Sequence, residues 1–369
     1  MFETLKRARD RFFGDGDASV AVPIFDGAFR PNNLLEAAPV FAEMPGLEDL
    51  AVSTDGVLHA ARGNDVLRFD DAGGSTVVAQ FDAPVQALAS FIDGGFAVAA
   101  GGRIIFEGGT RHGESFDKVQ GKSLICVNAL QATSGGKLLI SDGSQSRPYA
   151  QWSHDLLEHG HSGRVLEYDP ATRQSRELAH GLAYCHGVCG DGTRVLASQS
   201  WAHNLLALDN ATHVPVLNAL PGYPARISPA QGGGFWLSLF AGRTQLLEFV
   251  LREHDFRRKM MNTMEPHYWI APALSSGHDF QEPLQGGSVR QMGILKPWAP
   301  PRSYGLVVRL GNDLRPRYSL HSRVGGKHHG IVSAVEQGAY LMVLSKGASR
   351  ILRLPLADLN GSNSHDTHS

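Results

Sequence analysis

The 42 glycines and 19 prolines of this 369-residue chain cluster between short apolar stretches, a texture of many turns joining short strands. One unit occurs six times: a short strand, a turn ending in Gly, an alternating apolar strand, and a further strand that ends near an acidic residue. The units start at Glu48, Gln86, Asn128, His186, Ala225 and His329, at intervals of 38, 42, 58, 39 and 104 residues. A basic period near 40 with four strands per unit predicts an all-β chain folded as a six-bladed β-propeller, the long intervals marking two insertions. A doubly wound α/β fold would need helices between the strands, which these Gly-rich connections do not supply.

The elements follow in order. Residues 1–44 form a lead-in segment, in which Phe2, Leu5, Phe12 and Phe13 set against Lys6, Arg7, Arg9 and Arg11 predict a short amphipathic helix over 2–13. The propeller is expected over 45–358. Its units read "EDLAVSTDGVLHAARGNDVLRFD", "QALASFIDGGFAVAAGGRIIFE", "NALQATSGGKLLISDGS" with "GRVLEYDPATRQSREL", "HGVCGDGTRVLASQSWAHNLLALD", "ARISPAQGGGFWLSLFAGRTQLLEFV" and "HGIVSAVEQGAYLMVLSKGASRILRLPL". The first insertion, about 143–162, holds "SRPYAQWSHDLLEHGHSG" inside the third unit. The second, about 250–303, begins with Phe249, Phe256, Met260 and Met264 at spacings that predict one amphipathic helix. Long insertions in a propeller are expected as a lid over the channel mouth. The tail, 359–369, is polar and expected to be disordered.

Charge narrows the function. With 34 basic and 36 acidic residues the net charge is -2, which provides no electrostatic footprint for nucleic acid or an anionic membrane. No apolar run reaches the length of a membrane span, and the N-terminus lacks the core of a signal peptide. A cytoplasmic protein with a small-molecule substrate is the expectation. Three cysteines, Cys126, Cys185 and Cys189, are too few for a disulfide framework and read as buried thiols. His154, His159 and His161 lack a second ligand cluster at zinc spacing and read as a solvated loop.

The first residue of each unit is the position expected at the channel mouth. The set is Glu48, Gln86, Asn128, His186, Ala225 or Arg226, and His329 or Gly330, nearly all polar. Singly, each could cap a turn or pack in a core. Their equivalence across repeats points instead to convergent donors that could hold a divalent cation or a substrate carbonyl. The metal candidates are Glu48, Asn128 and His186. The catalytic candidates are His186, His328 and His329, since imidazole suits acid–base work near neutral pH. Arg226, which could hold a carboxylate in a bidentate grip, joins Gln86, Tyr184 and Trp298 as the substrate-binding set.

At these residues the chain resembles a known family. "NALQATSGGKLLISDGS", "GRVLEYDPATRQSRELAHGLAYCHGVCGDGTRVLASQS" and "LPGYPARISPAQGGGFWLSL" resemble three successive blades of the strictosidine synthase-like family, six-bladed propellers related to gluconolactonases and paraoxonases. In the hydrolytic relatives a central calcium is held by a glutamate of the first blade, later asparagines and an aspartate. The resemblance matches Glu48 to that glutamate and Asn128 to an asparagine. Where the family has Asn-Gly-Val this chain has His186-Gly187-Val188, and where it has Pro-Asp-Asn this chain has Pro224-Ala225-Arg226. Two oxygen ligands are therefore replaced, and a metal held by the remainder would be calcium or a transition ion, the imidazole favouring the latter. The glutamate of the plant synthases falls at Gly330 or Ile331, so the Pictet-Spengler type of condensation is not supported.

The resemblance and the residues together imply a hydrolase of a lactone or ester of a small acidic molecule, with one divalent metal ion at the channel centre. The alternatives are a metal-free lyase, isomerase or cyclase of a biosynthetic intermediate, and a propeller that binds a small molecule without chemistry.

Overall fold

The computed structural model describes residues 22–209, 212–276 and 303–361, with the short pair Arg290–Gln291 and Ile294–Leu295. The expected helix over 2–13, the residues beyond 361 and Trp298 lie outside the described residues. Six four-stranded antiparallel sheets form the blades of a propeller. The innermost strands, in order, are Leu47–Val52, Val85–Ser90, Val127–Ala132, Cys185–Gly190, Gly222–Pro229 and Ile331–Gln337. The sixth blade is completed by the lead-in segment, whose strand Val40–Glu43 pairs with Arg350–Pro355 in the register Val40 to Leu352 and Ala42 to Ile351.

Burial follows the distance from the axis. In the first blade the inner and middle strands are largely buried, while the outermost, Ser75–Gln80, is almost wholly exposed. Faces of neighbouring blades meet in separate apolar layers: Ala61, Val66 and Val98 between the first two blades, Ile104, Leu130 and Ile140 between the second and third, and Leu139, Val188 and Leu206 between the third and fourth. Leu196, Leu237 and Val308 join the fourth to the fifth, Val307, Ile331 and Val343 the fifth to the sixth, and Leu50, Leu67 and Leu344 the sixth to the first. Each fully buried Leu or Val contributes about 1.5–3 kcal/mol, so the ring is stabilised by contact around its whole circumference. Inner strands approach closely: a Cβ on Gly187 would lie 2.6 Å from the Ala225 carbonyl oxygen of the next blade.

Pairing of every inner strand with its neighbour slips near its start, between Leu47 and Asp49, Val85 and Ala87, Val127 and Ala129, Cys185 and Val188, Pro224 and Ile227, and Ile331 and Ser333, with a further slip in the fifth blade between Tyr223 and Pro224. Such a bulge re-aims a side chain and interrupts the ladder locally.

The two insertions pack together over one face. The first carries the helix Trp152–Leu157. The second carries two helices, Gln245–Arg252 and His254–Thr263, where the sequence predicts one. At Glu253 the backbone leaves helical angles (φ -82°, ψ 81°), so the spacing from Phe249 to Met264 does not run along one face. Phe249 and Phe256 are half exposed, and the buried contacts are made by Val250, Met260, Trp269 and Ala271 against Leu157 of the first insertion. Of the histidines read as a solvated loop, His159 and His161 are exposed, while two touch this junction: the His159 ring meets the Leu251 carbonyl at 2.9 Å, and the half-buried His154 ring lies edge-on to Trp269 at 4.6 Å. Among the described residues no helix is long and apolar enough to cross a membrane.

Candidate functional site

The six bulges set the site. They place Glu48, Gln86, Asn128, His186 with Gly187, Ala225 with Arg226, and Val332 at equivalent steps of the six inner strands. The sequence ring is thus reproduced in five blades and corrected in the sixth, where the equivalent residue is the apolar Val332 and not His329.

Arg226 divides the channel. From the fifth blade its guanidinium reaches Asp49 of the first (Nε to Oδ1, 3.1 Å) and donates to the backbone carbonyls of Glu48 (3.1 Å) and Gln86 (2.7 Å). Asp49 also accepts from the backbone N–H groups of Leu50 at 2.8 Å and Leu88 at 3.0 Å. Burial works against the charge on Arg226, but Asp49 beside it holds the guanidinium protonated. The substrate-binding role expected of Arg226 is corrected accordingly: its fork is spent on the protein, tying three blades together across the axis. On the side of this plug away from the insertions, the channel continues as a cavity of about 410 Å³ bordered by Gln131, Ser228, Ser333 and Glu336.

On the other side lies a small roofed chamber walled by Tyr149, Trp152, Tyr184, His186, Phe240, Leu274, Val332 and Lys346. It measures about 20 Å³, room for little more than one water. Trp152 comes from the first insertion and Leu274 from the second, so both insertions close over it, as a lid is expected to do. The roof segment docks because the sixth blade offers glycines there. A Cβ on Gly347 would lie 1.8 Å from the Leu274 carbonyl oxygen, and Gly330, at φ +65°, would meet the same atom at 2.6 Å.

Lys346 enters the chamber from the end of the buried strand Tyr340–Ser345. Its ammonium binds Glu48 Oε2, approaches the Tyr149 hydroxyl at 3.4 Å and sits 5.0 Å over the Tyr149 ring. Tyr149 donates to the same Glu48 oxygen at 2.9 Å. Burial opposes the positive charge, but Tyr149 and Glu48 outweigh it and raise the lysine above its ordinary value.

His186 faces this pair across an aromatic wall. Its ring stands edge-on to Tyr184 at 5.9 Å and tilted to Phe240 at 5.7 Å. Neither ring nitrogen has a hydrogen-bond partner. Burial, reinforced by the charges of Arg226 and Lys346, holds the imidazole neutral and far below its usual titration range. Tyr184 sits at φ 56° and stacks on Trp201 at 4.4 Å, presenting its ring to the chamber and its hydroxyl to the wall.

The other candidates are placed differently. Asn128 is fully buried in the wall between the third and fourth blades, donating to the Cys185 carbonyl at 2.8 Å while its own oxygen faces the Cys126 thiol and the Tyr184 hydroxyl, both at 3.4 Å. Glu48, Asn128 and His186 therefore do not converge as a metal triad, and among the described residues no group of three or more His, Cys, Asp or Glu side chains could hold a metal ion. His329 and His328 lie outside the chamber, at the junction of the fifth and sixth blades. The ring of His329 meets Ser303 Oγ at 2.7 Å and the Arg323 carbonyl at 2.9 Å, and His328 packs beside Ser322 and near Glu36. Gln86 serves the plug through its backbone carbonyl rather than the chamber through its side chain. The cysteines are free and buried, with thiols pushed up to about 12 by burial, so they are inert packing groups.

Sequence reasoning missed Lys346, Tyr149 and Asp49. A signal existed for the first: Lys346 directly follows the apolar run "YLMVLS", where a buried strand delivers a charge at its end.

A family profile described as strictosidine synthase matches residues 128–206, the third and fourth blades. An adipocyte plasma membrane-associated protein of Salmo salar is 26% identical over 223 residues, covering 48% of this chain and 53% of that protein. The Arabidopsis thaliana protein strictosidine synthase-like 13 is 28% identical over 138 residues, covering 36% and 34%. The chain thus spans a third to a half of the length of these relatives. Among solved structures, a gluconolactonase from Xanthomonas campestris superposes with a TM-score of 0.55 at 14% identity, covering 88% of this chain and 93% of that one. Regucalcin from Agrobacterium tumefaciens, a calcium-binding protein, gives 0.53 at 13%, covering 83% and 85%. At such identities the structures establish the fold, and the sequence matches bear out the strictosidine synthase-like resemblance.

Proposed function

We propose that this strictosidine synthase-like propeller is an enzyme that hydrolyses an ester or lactone of a small molecule in the roofed chamber. The observation that carries the reading is His186: a neutral imidazole with both nitrogens unpartnered, buried in an aromatic wall that it shares with a held ammonium. A neutral imidazole has a lone pair free to accept a proton, and the water and substrate admitted when the roof moves relieve the burial that weakens it as a base. It would take a proton from water as the water oxygen bonds to the carbonyl carbon. The oxyanion that forms would face the Lys346 ammonium, which Glu48 and Tyr149 hold in place. Collapse would expel the alkoxide, which takes its proton back from the imidazolium, leaving acid and alcohol.

Two consequences follow from the geometry. The chamber is too small for any such substrate while Trp152 and Leu274 lie over it, so binding requires displacement of the roof. The preference for acidic substrates expected from Arg226 is not carried forward, because Asp49 already balances that charge.

The test is a panel of aryl esters and five- and six-membered lactones offered to the purified protein. Turnover is expected, with His186→Phe lowering kcat/KM by about 100-fold or more. The reading fails if no member of the panel is hydrolysed, or if His186→Phe hydrolyses as fast as the unaltered protein.

A further inference from the structure

We infer that Lys346 is the resident cation of this propeller: its ammonium fills the place that a divalent ion takes in the hydrolytic relatives, and the centre has no use for calcium. Three observations support the substitution. Glu48, the residue matched to the metal-holding glutamate, gives its Oε2 to Lys346 and to Tyr149. Asn128, matched to a ligand asparagine, has turned into the wall, where Cys185, Cys126 and Tyr184 take up its amide. The two remaining ligand positions carry His186, which brings no negative charge, and Ala225–Arg226, which brings a positive one.

The charge balance decides the matter. Lys346 and Glu48 form one pair above the plug, and Arg226 and Asp49 form another at the plug itself. The centre is neutral with these four alone. A dication placed among them would leave two uncompensated charges in a largely buried site, where the desolvation cost per ion is several kcal/mol. Calcium sites instead gather six to eight oxygens, several of them carboxylates. A tethered ammonium also cannot be chelated or exchanged, so the electrostatic post is filled in every molecule as it folds. If the hydrolytic reading above holds, this same ammonium faces the carbonyl oxygen, and that extension rests on the reading; the assignment of the cation does not.

Thermal unfolding tests it without any substrate. The unaltered protein is expected to melt at the same temperature in about 5 mM calcium, above the affinity range of most protein calcium sites, and in an excess of EDTA. Lys346→Met leaves the Glu48 carboxylate without its counter-charge, so the Tm is expected to fall by about 4 °C or more with or without calcium. The double variant Glu48→Gln with Lys346→Met, which removes both charges, should recover part of that loss. Stabilisation of the unaltered protein by calcium, or its loss of stability in EDTA, overturns the assignment. So does a Lys346→Met protein that melts with the unaltered one, or a double variant that recovers none of the loss. Should Lys346→Met fail to fold, the comparison on the unaltered protein decides alone, and it does so whether or not the ester panel shows turnover.

Discussion

His186 shows how a position can be legible while its behaviour is not. Its place in the ring follows from comparing it with Glu48, Gln86 and Asn128 at the starts of equivalent units. Its neutrality depends first on burial that no local window displays, and then on the charges of Arg226 and Lys346, which come from other blades. Its effect on stability has a definite sign. An unfolded histidine titrates near 6.5, and the folded one is held below that value, so between the two the unfolded chain binds more protons. The stabilisation is therefore fully present above about pH 6.5 and is lost as the pH falls through and below it. His59, His203, His321 and His328, also lowered by burial, act in the same direction. Urea midpoints measured from about pH 5 to 7 should rise with pH, and His186→Phe should flatten part of that rise. An unchanged slope would mean that His186 takes up its proton in the folded protein as readily as in the unfolded one. Lys346 and Tyr149 were harder to read for a different reason: the step that Lys346 occupies carries Gly63, Gly101, Gly143 and Ser200 in the first four blades, so no like residue marks it, and Tyr149 lies inside an insertion.

The roof segment around Leu274 is the element on which access to the chamber turns. Its hold on the sixth blade depends on the missing side chain at Gly347, where a Cβ would overlap the Leu274 carbonyl. Gly347→Ala should push the segment off, costing about 1–3 kcal/mol. Trypsin should then cut faster after Arg257, Arg258 and Lys259 in the second lid helix, while the circular dichroism of the strands stays unchanged. Cleavage at the original rate would show that the segment accommodates the methyl where it lies. The sequence indicated that the insertions cover one mouth, yet it ran Phe249 to Met264 together as one helix. Hydrophobic spacing does not reveal the break at Glu253, because the contacts that compensate for it come from Leu157 and Trp269, distant in the chain.

For the whole molecule, the repeat carried most of the fold: blade number and inner-strand order were readable because a recurring period near 40 leaves few architectures open. The closing strand was not readable, since Val40–Glu43 has no counterpart in the repeat and meets a partner some 300 residues away. Without it the last blade would keep three strands and an open edge at Arg350–Pro355. A protein shortened to begin at Met44 should lose about 3 kcal/mol or more, the scale of one large apolar side chain, and should associate through that edge. Size-exclusion chromatography and a thermal melt would detect both effects, and a monomer of unaltered Tm would show that closure does not depend on this strand. The bulges have a wider consequence. Because Glu48, Gln86 and His186 stand on steps outside regular pairing, exchanging their side chains leaves the ladder of each inner strand in place. Pairing and the polar lining are thereby carried by different steps of the same strands, so the residues facing the axis can differ from blade to blade while strand order and blade number stay the same.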